Sequence, residues 1–109
     1  MLHVGREMVK ADNFMEASKC FAKSIMAFQF LVKNQLMTKD ETVDMFRSII
    51  IPAQSNLALC YLKIGSYDTL VNLCNEIIGH NPKNVKAVYR RGIGRYHIKQ
   101  VKPQLKVVR

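Results

Sequence analysis

The last third of this 109-residue chain contains no acidic residue. All eight acids lie within residues 1–76, together with eight of the seventeen basic residues, so that part is balanced. The formal charge of +9 therefore sits wholly on residues 77–109. An acidic ligand is attracted to such a segment, and so is nucleic acid. Other shortages narrow the class further. Proline and glycine are few, with three and five residues. Nearly half the chain is apolar and no stretch is of low complexity, so folding as one small domain is expected. No run approaches the roughly 18–20 apolar residues of a membrane span. The start, MLHVGREMVK, lacks the apolar core of a signal peptide. Three cysteines, Cys20, Cys60 and Cys74, are an odd set without paired spacing and read as buried thiols of a cytoplasmic protein.

Catalytic and cofactor chemistry find little support. There is no glycine-rich phosphate loop, no Cys–His or Ser–His pairing and no carboxylate pair. His80 and His97 have no Cys, Asp or Glu at metal-ligand spacing. No enzyme, no metal and no cofactor are expected within these residues.

The organising stretch runs from Asn56 to Arg95, NLALCYLKIGSYDTLVNLCNEIIGHNPKNVKAVYRRGIGR. It reads as a helix, a turn at Gly65-Ser66, a helix stopping at Gly79, a turn at Asn81-Pro82, and a third helix from near Lys83 to about Lys99-Gln100. Leu57, Ala58, Tyr61, Tyr67 and Pro82 stand where the 34-residue tetratricopeptide repeat places its large, small and terminating residues. A shift of 34 carries Asn56 onto Arg90, Ala58 onto Gly92 and Tyr67 onto Val101. Upstream, Asp12 and Asn13 mark a turn before Phe14. Ala17, Phe21, Ile25, Phe28 and Leu31 follow at helical spacing, in a helix expected to reach about Leu36. The distance from Phe14 to Tyr67 exceeds one repeat by roughly 19 residues. Thr38-Lys39-Asp40-Glu41 is a capping box and starts a long helix at Lys39, with Met45, Ile49, Ile50 and Ala53 on its apolar face. Pro52 predicts a kink or break near Ile51. Pro103 predicts the opening of a further helix.

The expected fold is all-α: a right-handed superhelix of antiparallel helix pairs, about two and a half to three tetratricopeptide repeats, incomplete at both ends. Repeat one covers 1–37 with a lengthened second helix, repeat two 38–82 with a lengthened first helix, and repeat three 83–109. Arrays of this kind are stabilised by stacking of neighbours, so the incomplete end repeats are expected to be weakly stable and open to self-association.

NLALCYLK, KAVYRRG and the lengthened helices resemble the tetratricopeptide domains of immunophilin-type co-chaperones, the FK506-binding protein and aryl-hydrocarbon-receptor-interacting protein family. The Ile-Ile-Pro-Ala-Gln-Ser-Asn run at 50–56 resembles the same family. The resemblance implies an adaptor, with an isomerase domain ahead of Met1 in a longer parent. It implies a groove for the Glu-Glu-Val-Asp tail of the ninety- or seventy-kilodalton heat-shock chaperone, gripped by Lys, Asn, Asn, Lys and Arg. By position, the second Asn falls on Asn56, the later Lys on Lys86 and the Arg on Arg90. The first Lys falls on Leu2 and the first Asn on Arg6, which depart from the family pattern.

The residue types suit that task in their own right. Lys86 and Arg90, four apart, share a helix face. A guanidinium matches a carboxylate with two prongs. An Asn amide donates to a carboxylate and accepts from a peptide N–H. Arg6 is a longer donor that either aids or obstructs the pocket, and Lys63, two turns beyond Asn56, is a further candidate contact. A solvated basic face is the plain alternative for Lys86 and Arg90. Two other classes compete with the adaptor: a structural or self-associating module whose groove is filled by another helix, and an RNA-binding basic repeat. Only Tyr89 and Tyr96 are interleaved with the basic residues as stacking platforms, which argues against RNA.

Overall fold

The computed structural model describes residues 13–108, with side chains to residue 100. The chain is all-α, as its sequence predicts, and no strand occurs among the described residues. Among the described residues five α-helices follow one another: α1 (Phe14–Lys33), α2 (Lys39–Met45), α3 (Ile51–Ile64), α4 (Tyr67–His80) and α5 (Val85–Val108). A five-residue π-turn, Phe46–Ile50, joins α2 to α3 without a break in the right-handed backbone. Helices pack as antiparallel neighbours, α1 on α3, α3 on α4 and α4 on α5. With two reversals between them, α3 and α5 run in the same direction and also touch.

Local chemistry explains the starts. Asn13 caps α1 by accepting from the Glu16 amide at 3.3 Å. At α2 the capping box is complete. Thr38 Oγ1 accepts from the Glu41 amide at 3.1 Å, and Glu41 Oε1 accepts from the Thr38 amide at 2.8 Å. Those hydrogen bonds hold the Glu41 carboxyl below its ordinary pKa. Asn84 Oδ1 accepts from the Ala87 amide at 3.0 Å at the start of α5.

The stops differ in places from the sequence expectation. Gly65 ends α3 in the left-handed region, φ 89°, and both Gly65 and Ser66 donate to the Tyr61 carbonyl. Gly79, expected as the stop of α4, lies inside the helix. The end comes at Asn81 (φ −142°), because the ring of Pro82 bars the residue before it from helical backbone. Helix α1 stops at Lys33, short of Leu36. Gln35 turns left-handed at φ 55° and folds Leu36 back, so that its amide donates to the Leu31 carbonyl at 3.0 Å.

Two proline expectations also need correction. Near Ile51 the helix widens where a kink or break was expected. The Ile51 amide donates to the Phe46 carbonyl five residues back, and this wide turn sits directly before Pro52, whose ring would press on the turn preceding it. The extra residue of that turn leaves Ile50 buried but Ile49 exposed. Helix α5 does not end near Lys99-Gln100 to give way to a new helix at Pro103; it runs on to Val108. Between Gln100 and Pro103 the chain has no Gly, Asn, Asp or Ser to form a turn. The stretch expected to form repeat three is thus a single helix among the described residues.

The core joins Ala17 and Phe21 of α1, Ala53, Leu57, Ala58 and Cys60 of α3, Leu70, Leu73, Cys74 and Ile77 of α4, and Ala87 of α5. Its alanines permit close helix approach, and its larger side chains fill the space between. Burial pushes the Cys60 thiol up to about 11 and raises that of Cys74, which keeps both protonated and inert. In the second half of α1, Ile25, Phe28 and Leu31 are only partly covered.

Two glycines of α5 give opposite predictions. A Cβ on Gly94 would lie 2.8 Å from Val71 Cγ2 and 3.4 Å from both Leu70 Cδ2 and the Tyr67 carbonyl. A Cβ on Gly92 would meet nothing within 4 Å. Gly94→Ala is expected to cost about 1–3 kcal/mol by overpacking. Gly92→Ala should stabilise by about 0.5–1 kcal/mol through the helix preference of alanine. Urea unfolding of the two variants checks both signs.

Candidate functional site

The site is built where α5 lies beside α3. Ala87 is buried, which fixes the rotation of α5. Arg90, three residues on, is turned toward α3. Its Nη1 donates to the Ser55 carbonyl at 2.8 Å and to Ser55 Oγ at 3.3 Å. Burial lowers the Arg90 pKa, and the neighbouring Cys74 opposes that shift. A guanidinium keeps its proton regardless, so Arg90 is a fixed, half-buried cation. The bond joins residues 35 apart, one repeat length plus one position.

Asn56 follows Ser55 on α3 and is half-buried. Its side-chain amide makes no hydrogen bond to any described residue, so both its donor and its acceptor are free for a ligand. Lys86 lies one turn before Arg90, is exposed, and forms no ion pair with a described residue. Arg90 thus reaches α3 at Ser55, the residue before Asn56, and Lys86 lies one turn earlier on α5. Lys63 is exposed in the last turn of α3, about 10 Å along the axis from Asn56, and is not part of that group. Arg6 and Leu2 lie outside the described residues.

Anchoring gives the site its electrostatic character. Three of the five N–H groups of a guanidinium belong to atoms other than Nη1, so Arg90 keeps donors for a second partner. Arg91 points elsewhere: its Nη1 donates to Asn75 Oδ1 at 3.0 Å and ties α5 to α4. No acid lies on α5. An anion at this junction meets donors and no competing carboxylate from that helix. No group of three His, Cys, Asp or Glu side chains suited to a metal occurs among the described residues. His97 instead stacks on Tyr67, with centroids 4.2 Å apart and planes 9° from parallel.

Ser55 was not legible as a site residue. The bond that involves it, from Arg90 35 residues away, has no local signal in the sequence. No described helix is long and apolar enough to cross a membrane.

Comparison with known proteins adds relatives of one main kind. No family model matches the chain, and no solved structure matches it. Among curated proteins it is similar to FK506-binding protein 59 of Drosophila melanogaster, 33% identical over 88 residues, which is 81% of this chain and 18% of that protein. It is similar to Outer envelope protein 61 of Arabidopsis thaliana, 30% identical over 88 residues, 81% of this chain and 14% of the relative. It is also similar to Peptidyl-prolyl cis-trans isomerase FKBP42 of Arabidopsis thaliana, 29% identical over 99 residues, 89% of this chain and 26% of the relative. The chain therefore spans about a quarter or less of the length of these relatives, and its sequence is similar to a short stretch of FK506-binding proteins and of an outer envelope protein.

Proposed function

We propose that this chain is a protein-interaction module, a co-chaperone adaptor that takes the acidic C-terminal tail of a cytosolic heat-shock chaperone of the ninety- or seventy-kilodalton class. One observation carries the reading. Arg90 is braced on Ser55, the residue that precedes Asn56 on α3, and lies one turn from the unpaired Lys86. Asn56, Lys86 and Arg90 form a preorganised donor set for a chain terminus that presents two carboxylates. The FK506-binding names of two relatives support the assignment to the co-chaperone type. An isomerase domain elsewhere in a longer protein, and a place in the cytoplasm, belong to the same proposal. Repeat boundaries at 37 and 82 belong to it as well. Arg6, which falls on the first-Asn position of the clamp, and Lys63 are proposed as additional contacts of the tail.

Calorimetric titration with a free-acid Glu-Glu-Val-Asp peptide and with its C-terminal amide tests this. The free acid is expected to bind at least tenfold more tightly, because amidation removes one of two charged acceptors. Equal affinities would refute a carboxylate clamp. Salt weakens both this binding and RNA binding, so the amide comparison is the discriminating one.

A further inference from the structure

A cleft of about 540 Å³ opens on the side of α3 away from Asn56. Its floor is apolar, formed by Phe28 of α1, Phe46 of the π-turn, Ile51 of α3 and Ile77 of α4. Phe46 sits between two rings. Its centroid is 6.0 Å from that of Phe28 and 5.0 Å from that of His80, the latter edge-on. The volume falls in the range of small-ligand sites, roughly 300–1,000 Å³.

Gln54 marks this cleft as more than a packing gap. Its residue is 6% exposed, yet its side-chain amide makes no hydrogen bond to any described residue. No side-chain polar atom among the described residues is both fully buried and unpartnered, so the Gln54 amide must reach open space. The space it reaches is this cleft and a smaller adjoining one of about 350 Å³. An amide that opens into a cleft with no protein partner keeps its donors and its acceptor for whatever fills that cleft. Residues 54 and 56 are two apart on α3, about 200° around the helix, which separates this cleft from the proposed clamp.

Three features define the complement. A carboxamide offers one acceptor and two donors, which match the N–H and C=O of a peptide group. The apolar floor and the Phe46 edge match an aromatic or large aliphatic side chain. Arg47 is the charged residue lining the cleft, no acid lines it, and Arg47 has no ion pair with a described residue. We propose that the cleft binds a peptide segment of a partner protein, with an aromatic or large aliphatic side chain on the Phe28–Phe46 floor, its backbone amide paired with Gln54, and an adjacent carboxylate at Arg47. The segment would bind independently of the tail held at Asn56, Lys86 and Arg90.

N-acetyl-L-phenylalanine holds all three groups and serves as the probe, with N-acetyl-L-phenylalaninamide as its uncharged counterpart. Titration of the isotope-labelled chain, followed by NMR, should shift the Gln54 side-chain amide and the Phe46 and His80 signals. A Kd on the order of 1 mM is expected for a ligand of this size. Gln54→Leu should weaken binding at least tenfold, and Arg47→Gln should erase the preference for the acid over the amide. Val43, at the exposed rim, gives a variant independent of the core: Val43→Trp should occlude the cleft and abolish the shifts. Lys86→Ala should change nothing here, which separates this test from that of the clamp. The proposal is overturned by an absence of cleft shifts up to about 10 mM probe, a weak limit for such fragments. It is overturned equally by shifts indifferent to Val43→Trp, or to Gln54→Leu in a folded variant. Cleft shifts that follow protein concentration without probe would make the occupant a second copy and overturn it too.

Discussion

Phe21→Ala is expected to lose about 4 kcal/mol, the middle of the range for a buried phenylalanine. Phe21 is among the largest side chains with no exposed surface, and it holds α1 to the rest of the chain. The other buried residues of α1 are Ala17 and Ser18, which contribute little apolar area. Domains of this size have about 5–15 kcal/mol in total. The variant should therefore be near its unfolding limit at 37 °C, with a Tm lower by roughly 15–30 °C. Because repeat arrays depend on neighbouring contacts, the loss should begin at α1. Amide exchange in α1 should rise before exchange in α3 and α4. Phe21→Leu, which keeps most of the volume, should recover more than half of the loss. Denaturant melts of the three proteins check this. A loss below about 1 kcal/mol for the alanine variant would mean that the space closes around it, at odds with a close-packed α1–α3 interface.

Lys86→Ala and Arg90→Ala are expected to weaken tail-peptide binding by about ten- to hundredfold each, the weight of one charge-assisted hydrogen bond. Stability separates the two. Lys86 is exposed and unpaired, so its variant should melt like the parent. Arg90 bonds Ser55 across the α3–α5 junction, so its variant should also lose about 1–2 kcal/mol of stability, a value discounted for partial solvent exposure. The sequence alone, placing Arg90 on a free groove face, predicts no such loss. Arg90→Lys keeps the charge but cannot reproduce the forked geometry, and should fall between parent and alanine. Ser55→Ala removes the hydroxyl acceptor and leaves the carbonyl, so Arg90 should stay in place with binding nearly unchanged. A folded Lys86→Ala protein that binds the free-acid peptide like the parent would set aside the clamp in favour of a structural repeat module.

Much of the helical order was legible because its signals are local. The capping box at Thr38–Glu41, the Gly65 turn and the Asn13 cap depend on residues within four positions of one another. The failures were mostly failures of competition between local signals. Gly79 permits a helix to end, but Pro82 compels it to, and compulsion wins two residues later. Pro103 was read as a start because helices often open on proline, yet no turn-forming residue precedes it and α5 continues. At Pro52 a single widened turn relieves the clash that a break would otherwise relieve.

By itself the sequence determined the all-α class, most of the helix starts and the one-sided charge, all of which follow from spacing and composition. Candidate positions Asn56, Lys86 and Arg90 came instead from the resemblance to a known family, carried over residue by residue. Tertiary structure decided how those side chains are committed. It placed Arg90 on Ser55 and Arg91 on Asn75, left the Gln54 amide open to a cleft, and pressed Gly94 against Val71. The reason is one of range. A cap or a turn is fixed by neighbours along the chain, whereas a hydrogen bond from Arg90 to a carbonyl 35 residues away exists only after α3 and α5 have packed side by side.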